Sequence, residues 1–499
     1  METIHQSIKQ LVFYGLYNQL IEEVDVEYCL NKLADLCQLD VFVDEDITPR
    51  YEVSRPTELV KPLVEYAVKN ELLPYPSVAQ QDIFEAKCMD VIIPRPSELV
   101  RKFYQIEEVD AEKATDLYYE FSQKSNYIKT DRVAKNIQWK SDTPYGAFDM
   151  TINLSKPEKD PKDIIKSKNK KSKGHIKCLL CKENVGYSGE TTNVGRLSHR
   201  IVPVELNNEP FFFQYSPYVY YNEHCIVLHK EHIPMNVSVK TFKRLFDFVE
   251  KYDHYFLGSN AGLPIVGGSI LSHEHYQGGR HTFPIERAKV LDSFDLGEVK
   301  IEKLYWPLSV LRLSSVNRSK VEEAAIKLFN YWENYTNESV GIYAQTDSPH
   351  NAITPIARKQ NGVYILDMTL RNNLTSDTYP LGIFHPHPEH HHIKKENIGL
   401  IEVMGLAVLP ARLKEELAVI KDCLINNKEV PENLDIHKNW VASLRGKSLD
   451  DIDAFINDEV TKEFMYCLED AGVFKQTEAS QKAFDQFIGG FIDDYNKKS

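Results

Sequence analysis

The features that the sequence lacks exclude several classes of function before any motif is considered. No run within the 499 residues is apolar enough to span a bilayer, and Met1 to Gln10 lacks the apolar segment of a secretory signal. Basic residues are fewer than acidic ones, with 59 Lys and Arg against 73 Asp and Glu, which argues against a general nucleic-acid binder. We therefore expect a cytoplasmic protein that has neither a membrane nor a nucleic acid as its partner.

Cysteine is also scarce, and its distribution excludes a disulfide framework. The eight cysteines are scattered along the chain, and only Cys178 and Cys181 lie close together in sequence. This pattern is typical of a reduced intracellular protein and not of a small secreted one. The pair at CxxC spacing is therefore a candidate for metal binding.

The order of helical and strand patterns predicts four parts. Apolar residues recur at helical spacing in the first quarter of the chain, and segments rich in β-branched and aromatic residues follow Cys181. A second α/β pattern contains Asn361-Gly362, a strong hairpin signal, and Asn397 to Leu409 is predicted as a helix that Pro410 ends. The parts are a helical N-terminal region, two α/β units and a helical C-terminal region, at residues 1–127, 128–295, 296–428 and 429–499.

One stretch in the middle of the chain concentrates polar residues on an extended segment. Ser272 to Gly279 follows an apolar run and reads Ser-His-Glu-His-Tyr-Gln-Gly-Gly. Because side chains alternate along a strand, His273, His275 and Gln277 should share one face. Burying two imidazoles and an amide costs free energy unless each has a partner, so this face is predicted to be an active site.

A tetrahedral zinc site is predicted from residues that lie far apart in sequence. Cys178 and Cys181 at CxxC spacing, together with His232 and His273, supply four ligands of the kind that zinc prefers. The alternative is that the two cysteines are small buried residues, as free cysteines often are. We expect the zinc to be structural.

The order of these motifs resembles that of one enzyme family. The CxxC pair is followed by Lys230-Glu231-His232, then Ser259-Asn260-Ala261-Gly262, then Gly268-Ser269, and then His-x-His-x-Gln. This order is similar to that of galactose-1-phosphate uridylyltransferases of the histidine-triad superfamily, and His-Glu-His-Tyr-Gln-Gly-Gly resembles their second, bacterial class. The resemblance covers about Arg132 to Glu402. It implies an α+β fold of duplicated histidine-triad-like units, the first of them catalytic, with mainly antiparallel sheets, flanking helices and a helical N-terminal region.

The resemblance also implies roles for single residues. His275 would be the nucleophile that receives uridylate, oriented by the backbone carbonyl of His273, whose imidazole points to the metal. Gln277 would hold phosphoryl oxygens, and Ser269 would help to neutralise their charge. The residues that the resemblance places near the nucleotide or its phosphates are Asn260, Arg132, Asn207 and Gly268.

A second metal is held in one branch of the family by a glutamate and three histidines. The candidates for those four ligands here are Glu286, His350, His385 and His387. The alternative is that the histidines between residues 385 and 392 form a surface loop. The sequence leaves both interpretations open.

The predicted function is that of a UDP-glucose–hexose-1-phosphate uridylyltransferase in galactose metabolism, which exchanges uridylate between UDP-glucose and galactose 1-phosphate through a uridylyl-histidine. Gln277 favours transfer over hydrolysis, because glutamine cannot act as a general acid–base at neutral pH, whereas the superfamily's hydrolases carry a third histidine there. The alternatives are a dinucleoside-polyphosphate phosphorylase or nucleotide hydrolase of the same superfamily, or a zinc-stabilised scaffold. A homodimer is expected.

Overall fold

The structure of this chain is a computed structural model that describes residues 2–50, 53, 55–155, 176–189, 196–268, 270–447 and 450–497. The N-terminal region is helical, as predicted. Its helices are α1 (Ile4–Tyr17), α2 (Val26–Leu36), α3 (Thr57–Lys69), α4 (Val78–Val91), α5 (Pro96–Glu107) and α6 (Ala111–Lys124), and the short helix α7 (Thr130–Val133) follows them. Helix α1 begins at a capping box, in which the Thr3 hydroxyl accepts from the Gln6 backbone N–H and the Gln6 side chain accepts from the Thr3 backbone N–H.

The described strands form one large sheet and one small sheet. In chain order they are β1 (Ile137–Thr143), β2 (Gly146–Ile152), β3 (Val202–Leu206), β4 (Glu209–Tyr215), β5 (Cys225–His229), β6 (Phe256–Gly258), β7 (His275–Gly279), β8 (Val290–Leu296), β9 (Val299–Leu304), β10 (Val310–Ser315), β11 (Asn351–Gln360), β12 (Val363–Asn372) and β13 (Leu406–Leu409). The large sheet has the order β3-β4-β5-β7-β6-β11-β12-β10-β9-β8, and its pairings are antiparallel. In the small sheet, β2 pairs antiparallel with β1 and parallel with β13.

The order of the large sheet shows a duplication. The strands β3 to β7 and the strands β8 to β12 have the same internal order, in which the fifth strand lies between the third and the fourth. A helix follows the third strand in each half, and these helices are α8 (Val239–Lys251) and α9 (Arg318–Glu333). The halves meet where β6 pairs with β11. The predicted α+β class with duplicated antiparallel units is confirmed.

Helices α8 and α9 cover one face of the large sheet. On α8, Phe242, Leu245, Phe246 and Val249 recur at helical spacing and are fully buried. Burying a side chain of this size contributes about 1.5–3 kcal/mol. This core fixes the strands, and with them the opposite face of β7, on which His275 lies.

A second core lies on the other face of the sheet, where Phe148 of β2 packs against Trp306 and Phe464. The helices after β12 are α10 (Leu400–Val403), α11 (Leu413–Ile425), α12 (Lys438–Leu444), α13 (Ile452–Ala471) and α14 (Glu478–Lys497). The predicted helix over 397–409 is therefore wrong. Gly405, with a φ of 91°, ends α10, and the next four residues pair with β2 as strand β13.

The division of the chain into four parts stays a prediction. The pairing of β6 with β11 joins the two predicted α/β units into one continuous sheet across the boundary at residues 295 and 296. Among the helices that the structure describes, none combines the length and the apolar character that crossing a membrane requires.

A buried ion-pair cluster lies within the second half of the large sheet. Asp367 of β12 is fully buried and accepts hydrogen bonds from Arg312 Nε and Nη2, at 2.6 and 3.0 Å, and from Arg358 Nη1, at 2.7 Å. Burial raises the pKa of this carboxyl, but the two arginine cations outweigh it and hold the pKa of Asp367 below its ordinary value.

Asp367→Asn should lower the free energy of unfolding by about 3–5 kcal/mol, because it leaves two buried guanidinium groups without their carboxylate. A carboxyl whose pKa is lowered in the folded state stabilises the fold above its unfolded pKa, about 3.9, and loses that contribution as the pH falls further. Denaturant unfolding at pH 7 and at successively lower pH would check this. The difference between wild type and variant should shrink with falling pH, and a constant difference would contradict the prediction.

Candidate active site and metal centre

Strand β7 presents His275 in a defined tautomer. Its Nδ1 lies 2.8 Å from the backbone oxygen of His273. A carbonyl oxygen can only accept, so Nδ1 must carry the proton and Nε2 is left with its lone pair. The side chain is 5% exposed, and burial lowers the pKa of His275 to about 4, so the ring is neutral at pH 7. The ring is thus neutral and held in a fixed orientation, with the lone pair of Nε2 available.

The predicted zinc ligands converge in the structure. The ligand atoms of Cys178, Cys181, His232 and His273 all lie within 4.8 Å of one another. The two sulfur atoms are 3.7 Å apart, Cys178 Sγ is 3.3 Å from His273 Nδ1, and Cys181 Sγ is 3.3 Å from His232 Nδ1. A tetrahedral ion with bonds of about 2.3 Å to sulfur and 2.0–2.1 Å to nitrogen would separate such donors by roughly 3.4–3.8 Å. The cluster therefore fits a zinc-sized ion.

Hydrogen bonds from surrounding groups orient the side chains of this cluster so that they could bind a cation. His273 Nε2 donates to the His229 carbonyl at 2.8 Å, which leaves Nδ1 unprotonated and facing the sulfur atoms. Asn184 donates to the carbonyls of Cys178 and Cys181, at 2.9 and 2.8 Å, and holds the turn between them. Burial raises the pKa of the Cys178 thiol to about 11, so a bound metal would displace its proton.

The opposite face of β7 anchors the strand to α8. The carboxylate of Glu274 accepts from Arg244 Nη1 at 3.0 Å, from the Tyr276 hydroxyl at 2.8 Å and from the Asn236 backbone N–H at 2.8 Å. Because side chains alternate along the strand, residues 273, 275 and 277 face the site, and residues 274 and 276 contact the core side and hold the backbone in place. Sequence reasoning missed Glu274, although a carboxylate on the core side of the alternation was a usable signal.

Gln277 lies two residues beyond His275 on the same face. Its side chain is half-buried, and its Oε1 is 3.1 Å from Nε2 of His224, a residue that precedes β5. Sequence reasoning missed His224, because it belongs to no motif and only the pairing of β5 with β7 brings it close.

Two of the predicted substrate residues, Asn260 and Gly268, lie against each other shortly before β7 in the chain. Asn260 is buried, and its Oδ1 accepts from the Leu400 backbone N–H at 2.8 Å. A Cβ atom at Gly268 would lie 2.7 Å from Asn260 Nδ2, so only glycine fits there without displacement. Ser269 lies outside the described residues.

The other two predicted substrate residues have protein partners. Arg132 forms a bidentate ion pair with Asp82 of α4, with nitrogen–oxygen distances of 2.9 and 2.6 Å. Asn207 is in the turn between β3 and β4 with a φ of 51°, and its backbone N–H donates to Asp247 of α8. Their roles towards a nucleotide stay predictions.

The predicted second metal site is not assembled. Glu286 accepts a hydrogen bond from Gln360 Nε2 at 2.8 Å and lies 3.6 Å from Arg358 Nε. The positive charge beside this carboxylate therefore belongs to an arginine. The three histidines have other partners: His350 contacts Asn373, His385 contacts Asn397, and His387 contacts Asp470. Among the residues that the structure describes, the cluster of Cys178, Cys181, His232 and His273 is the one group with metal-ligand geometry.

Comparison with known sequences identifies the family. Residues 19–234 match the profile of the galactose-1-phosphate uridyl transferase N-terminal domain, and residues 248–442 match that of its C-terminal domain. The chain belongs to this family. The resemblance inferred from the motifs is thereby confirmed for galactose-1-phosphate uridylyltransferases.

Relatives match this family member over nearly its whole length. Galactose-1-phosphate uridylyltransferase of Clostridium acetobutylicum is 49% identical and aligns over 97% of this chain and 99% of its own. The enzyme of that name from Caldanaerobacter subterraneus is 48% identical over 96% of both chains, and that from Bacillus subtilis is 45% identical over 97% of both. A crystal structure of a yeast Ap4A phosphorylase aligns with 66% of this chain and 92% of its own at 12% identity, but a TM-score of 0.33 is too low to support an argument.

Proposed function

We propose that this protein is a UDP-glucose–hexose-1-phosphate uridylyltransferase that exchanges uridylate between UDP-glucose and galactose 1-phosphate. The observation that carries the proposal is the neutral imidazole of His275, whose Nδ1–H donates to the His273 carbonyl and whose Nε2 is left as the nucleophile. The family's name supplies galactose 1-phosphate and the uridylyl group. The motif resemblance implies UDP-glucose as the donor, and His275 supports a transfer through a covalent intermediate.

The reaction divides into two displacements at the α-phosphorus. In the first, the Nε2 lone pair of His275 forms a bond to this phosphorus, and the bond to the bridging oxygen breaks, so that glucose 1-phosphate leaves with the electron pair. In the second, a phosphate oxygen of galactose 1-phosphate attacks the same phosphorus and the phosphorus–nitrogen bond breaks, which yields UDP-galactose and neutral His275. The His273 carbonyl stabilises the positive charge that the ring carries in between.

Gln277 favours a sugar phosphate over water as the acceptor. An amide donates to phosphoryl oxygens, but at neutral pH it can neither remove a proton from water nor deliver one to a leaving group. A phosphate oxygen of galactose 1-phosphate is already an anion and needs no base. Gln277 therefore disfavours the hydrolase alternative. The phosphorylase alternative also has an anionic acceptor, and against it stands the match to the uridyl transferase family.

Zinc is the proposed ion of the Cys178, Cys181, His232 and His273 cluster. When bound, it supplies a structural cross-link and takes no part in bond making. Because the cluster fixes the imidazole of His273, it also fixes the backbone carbonyl that orients His275.

The remaining site, location and assembly predictions belong to the same proposal. Asn260 and Gly268 would approach the nucleotide from beside the catalytic strand, and Arg132, Asn207 and Ser269 are retained as predicted substrate-binding or catalytic residues. A cytoplasmic location is supported by the eight cysteines, all of which are free. We also retain the predicted division of the chain into four parts and its assembly into a homodimer.

The test is an exchange assay with purified protein, UDP-glucose and galactose 1-phosphate. UDP-galactose and glucose 1-phosphate should form in equal amounts, and UDP-glucose alone should leave radioactive uridylate on the protein when the α-phosphate is labelled. ADP-glucose and diadenosine polyphosphates serve as controls. Turnover of a diadenosine polyphosphate without exchange on UDP-glucose would replace the proposal by the phosphorylase alternative.

A further inference from the structure

We infer that His224 is a positioning residue for Gln277, which it holds with the amide NH2 group towards the phosphoryl group on His275. The inference rests on the proposed function and adds a residue to it. His224 Nε2 lies 3.1 Å from Gln277 Oε1. If Nε2–H donates to that oxygen, the amide oxygen is occupied and both amide hydrogens are free for the substrate.

The imidazole of His224 is fixed in place from two sides. It is 2% exposed and packs against Tyr220, with ring centroids 5.2 Å apart, and against Tyr221, with centroids 4.6 Å apart. The Tyr221 hydroxyl donates to the backbone oxygen of Gly278 at 2.9 Å, which ties this aromatic cage to β7 itself. The ring that contacts Gln277 is thus held by the strand that carries Gln277.

The polar contacts of the His224 ring are consistent with a role in orienting Gln277. Its Nδ1 is buried and has no hydrogen-bond partner among the described residues, so the polar contact of the ring goes to Gln277 alone. Burial lowers the pKa of His224 to about 4, so the ring has one N–H at neutral pH. For packing alone an apolar ring would serve as well as a histidine. The one N–H of this ring is placed to donate to the amide oxygen of Gln277.

The orientation of the Gln277 amide decides whether it stabilises or repels the phosphoryl group. An amide turned by 180° would direct its carbonyl oxygen at the anionic phosphoryl oxygens and repel them. A hydrogen bond to a charged group, realised in the transition state, changes a rate by about ten- to a hundredfold. His224→Phe should therefore slow uridylate uptake from UDP-glucose by about that factor.

Two conservative variants separate hydrogen bonding from packing. The amide nitrogen of glutamine can occupy the position of the imidazole Nε2, whereas that of asparagine falls near Nδ1. His224→Gln should therefore recover most of the rate lost in His224→Phe, and His224→Asn should not. His437→Phe is the control for burial, because His437 is also buried, bonds through Nε2 to Glu416 at 2.9 Å, and has an unpartnered Nδ1.

The deciding experiment is a double-mutant cycle on the first half-reaction, measured by rapid quench with UDP-glucose labelled at the α-phosphate. His224→Phe should slow labelling in the wild-type background and have no further effect in Gln277→Ala, with melting temperatures recorded for every variant. Equal slowing in both backgrounds, or equal rates for His224→Gln and His224→Asn, would overturn the inference. If the wild-type protein takes up no uridylate, the proposed function is wrong. If His224→Phe is labelled at the wild-type rate, only the inference about His224 is wrong.

Discussion

His275→Asn should abolish the uptake of uridylate from UDP-glucose and reduce turnover by at least about 10³-fold, as the loss of a nucleophile does in enzymes that use covalent catalysis. Asparagine can place its amide nitrogen near the position of Nδ1 and so keep the hydrogen bond to the His273 carbonyl, which is 2.8 Å long in the wild type. It has no counterpart of Nε2. The variant therefore removes the nucleophile and leaves the support of the strand in place.

Rapid quench with UDP-glucose labelled at the α-phosphate measures this directly, and acid lability of the label identifies a phosphohistidine. His254→Asn is a suitable control, since His254 is half-buried and contacts Thr115 of α6, away from the motif. Circular dichroism and melting temperature should match wild type in both variants. Stoichiometric label on the His275→Asn protein would remove the mechanism proposed here.

Cys181→Ala should remove the bound metal and lower the melting temperature by roughly 5–10 °C, because a structural zinc contributes several kcal/mol or more to folding. The loss should reach the catalytic strand, since His273 contacts the cluster through Nδ1 and orients His275 through its carbonyl. Uridylate uptake should therefore fall as well, even though Cys181 touches no substrate.

Elemental analysis by mass spectrometry provides the measurement, with one equivalent of metal expected in wild type and none in Cys181→Ala. Cys423→Ala is the matched control, because Cys423 is equally buried but lies on α11 and bonds only to a backbone carbonyl. It should retain the metal. A full complement of metal in Cys181→Ala, or the same thermal loss in both variants, would show that the cluster is not a metal site.

The arrangement of side chains that the sequence predicted, and that the structure shows, is the part encoded locally or by ligand type. Alternation alone placed His273, His275 and Gln277 on one face, because a strand has a fixed period of two. Cysteine and histidine are such specific zinc ligands that Cys178 and His232 could be grouped without knowing the fold. The fold class followed from the resemblance of the motifs to one enzyme family, which implied duplicated units.

What the sequence could not give depends on neighbours that only the folded chain supplies. Residues 397–409 have an apolar pattern that suits a helix or a strand, and pairing with β2 decided the outcome for the last four. Glu286 was a candidate ligand for a second metal, but β11 places Arg358 beside it. The ion pair of Arg132 with Asp82 joins α7 to α4, which no local pattern reveals.

The small sheet has a consequence for the biosynthesis of this protein. Strand β2 is central in that sheet, yet its parallel partner β13 is made only after more than half of the chain has followed it. Until Leu406–Leu409 has left the ribosome, the hairpin of β1 and β2 lacks its third strand, and a two-stranded hairpin is marginally stable in water.

During that interval the nascent chain exposes a bare strand edge that carries Phe148, Met150 and Ile152, all buried in the finished molecule. Such an edge is a template for pairing with a neighbouring nascent chain. Polypeptides released early, before Leu406, should therefore aggregate and depend on chaperones, whereas the completed chain covers the same edge with its own β13.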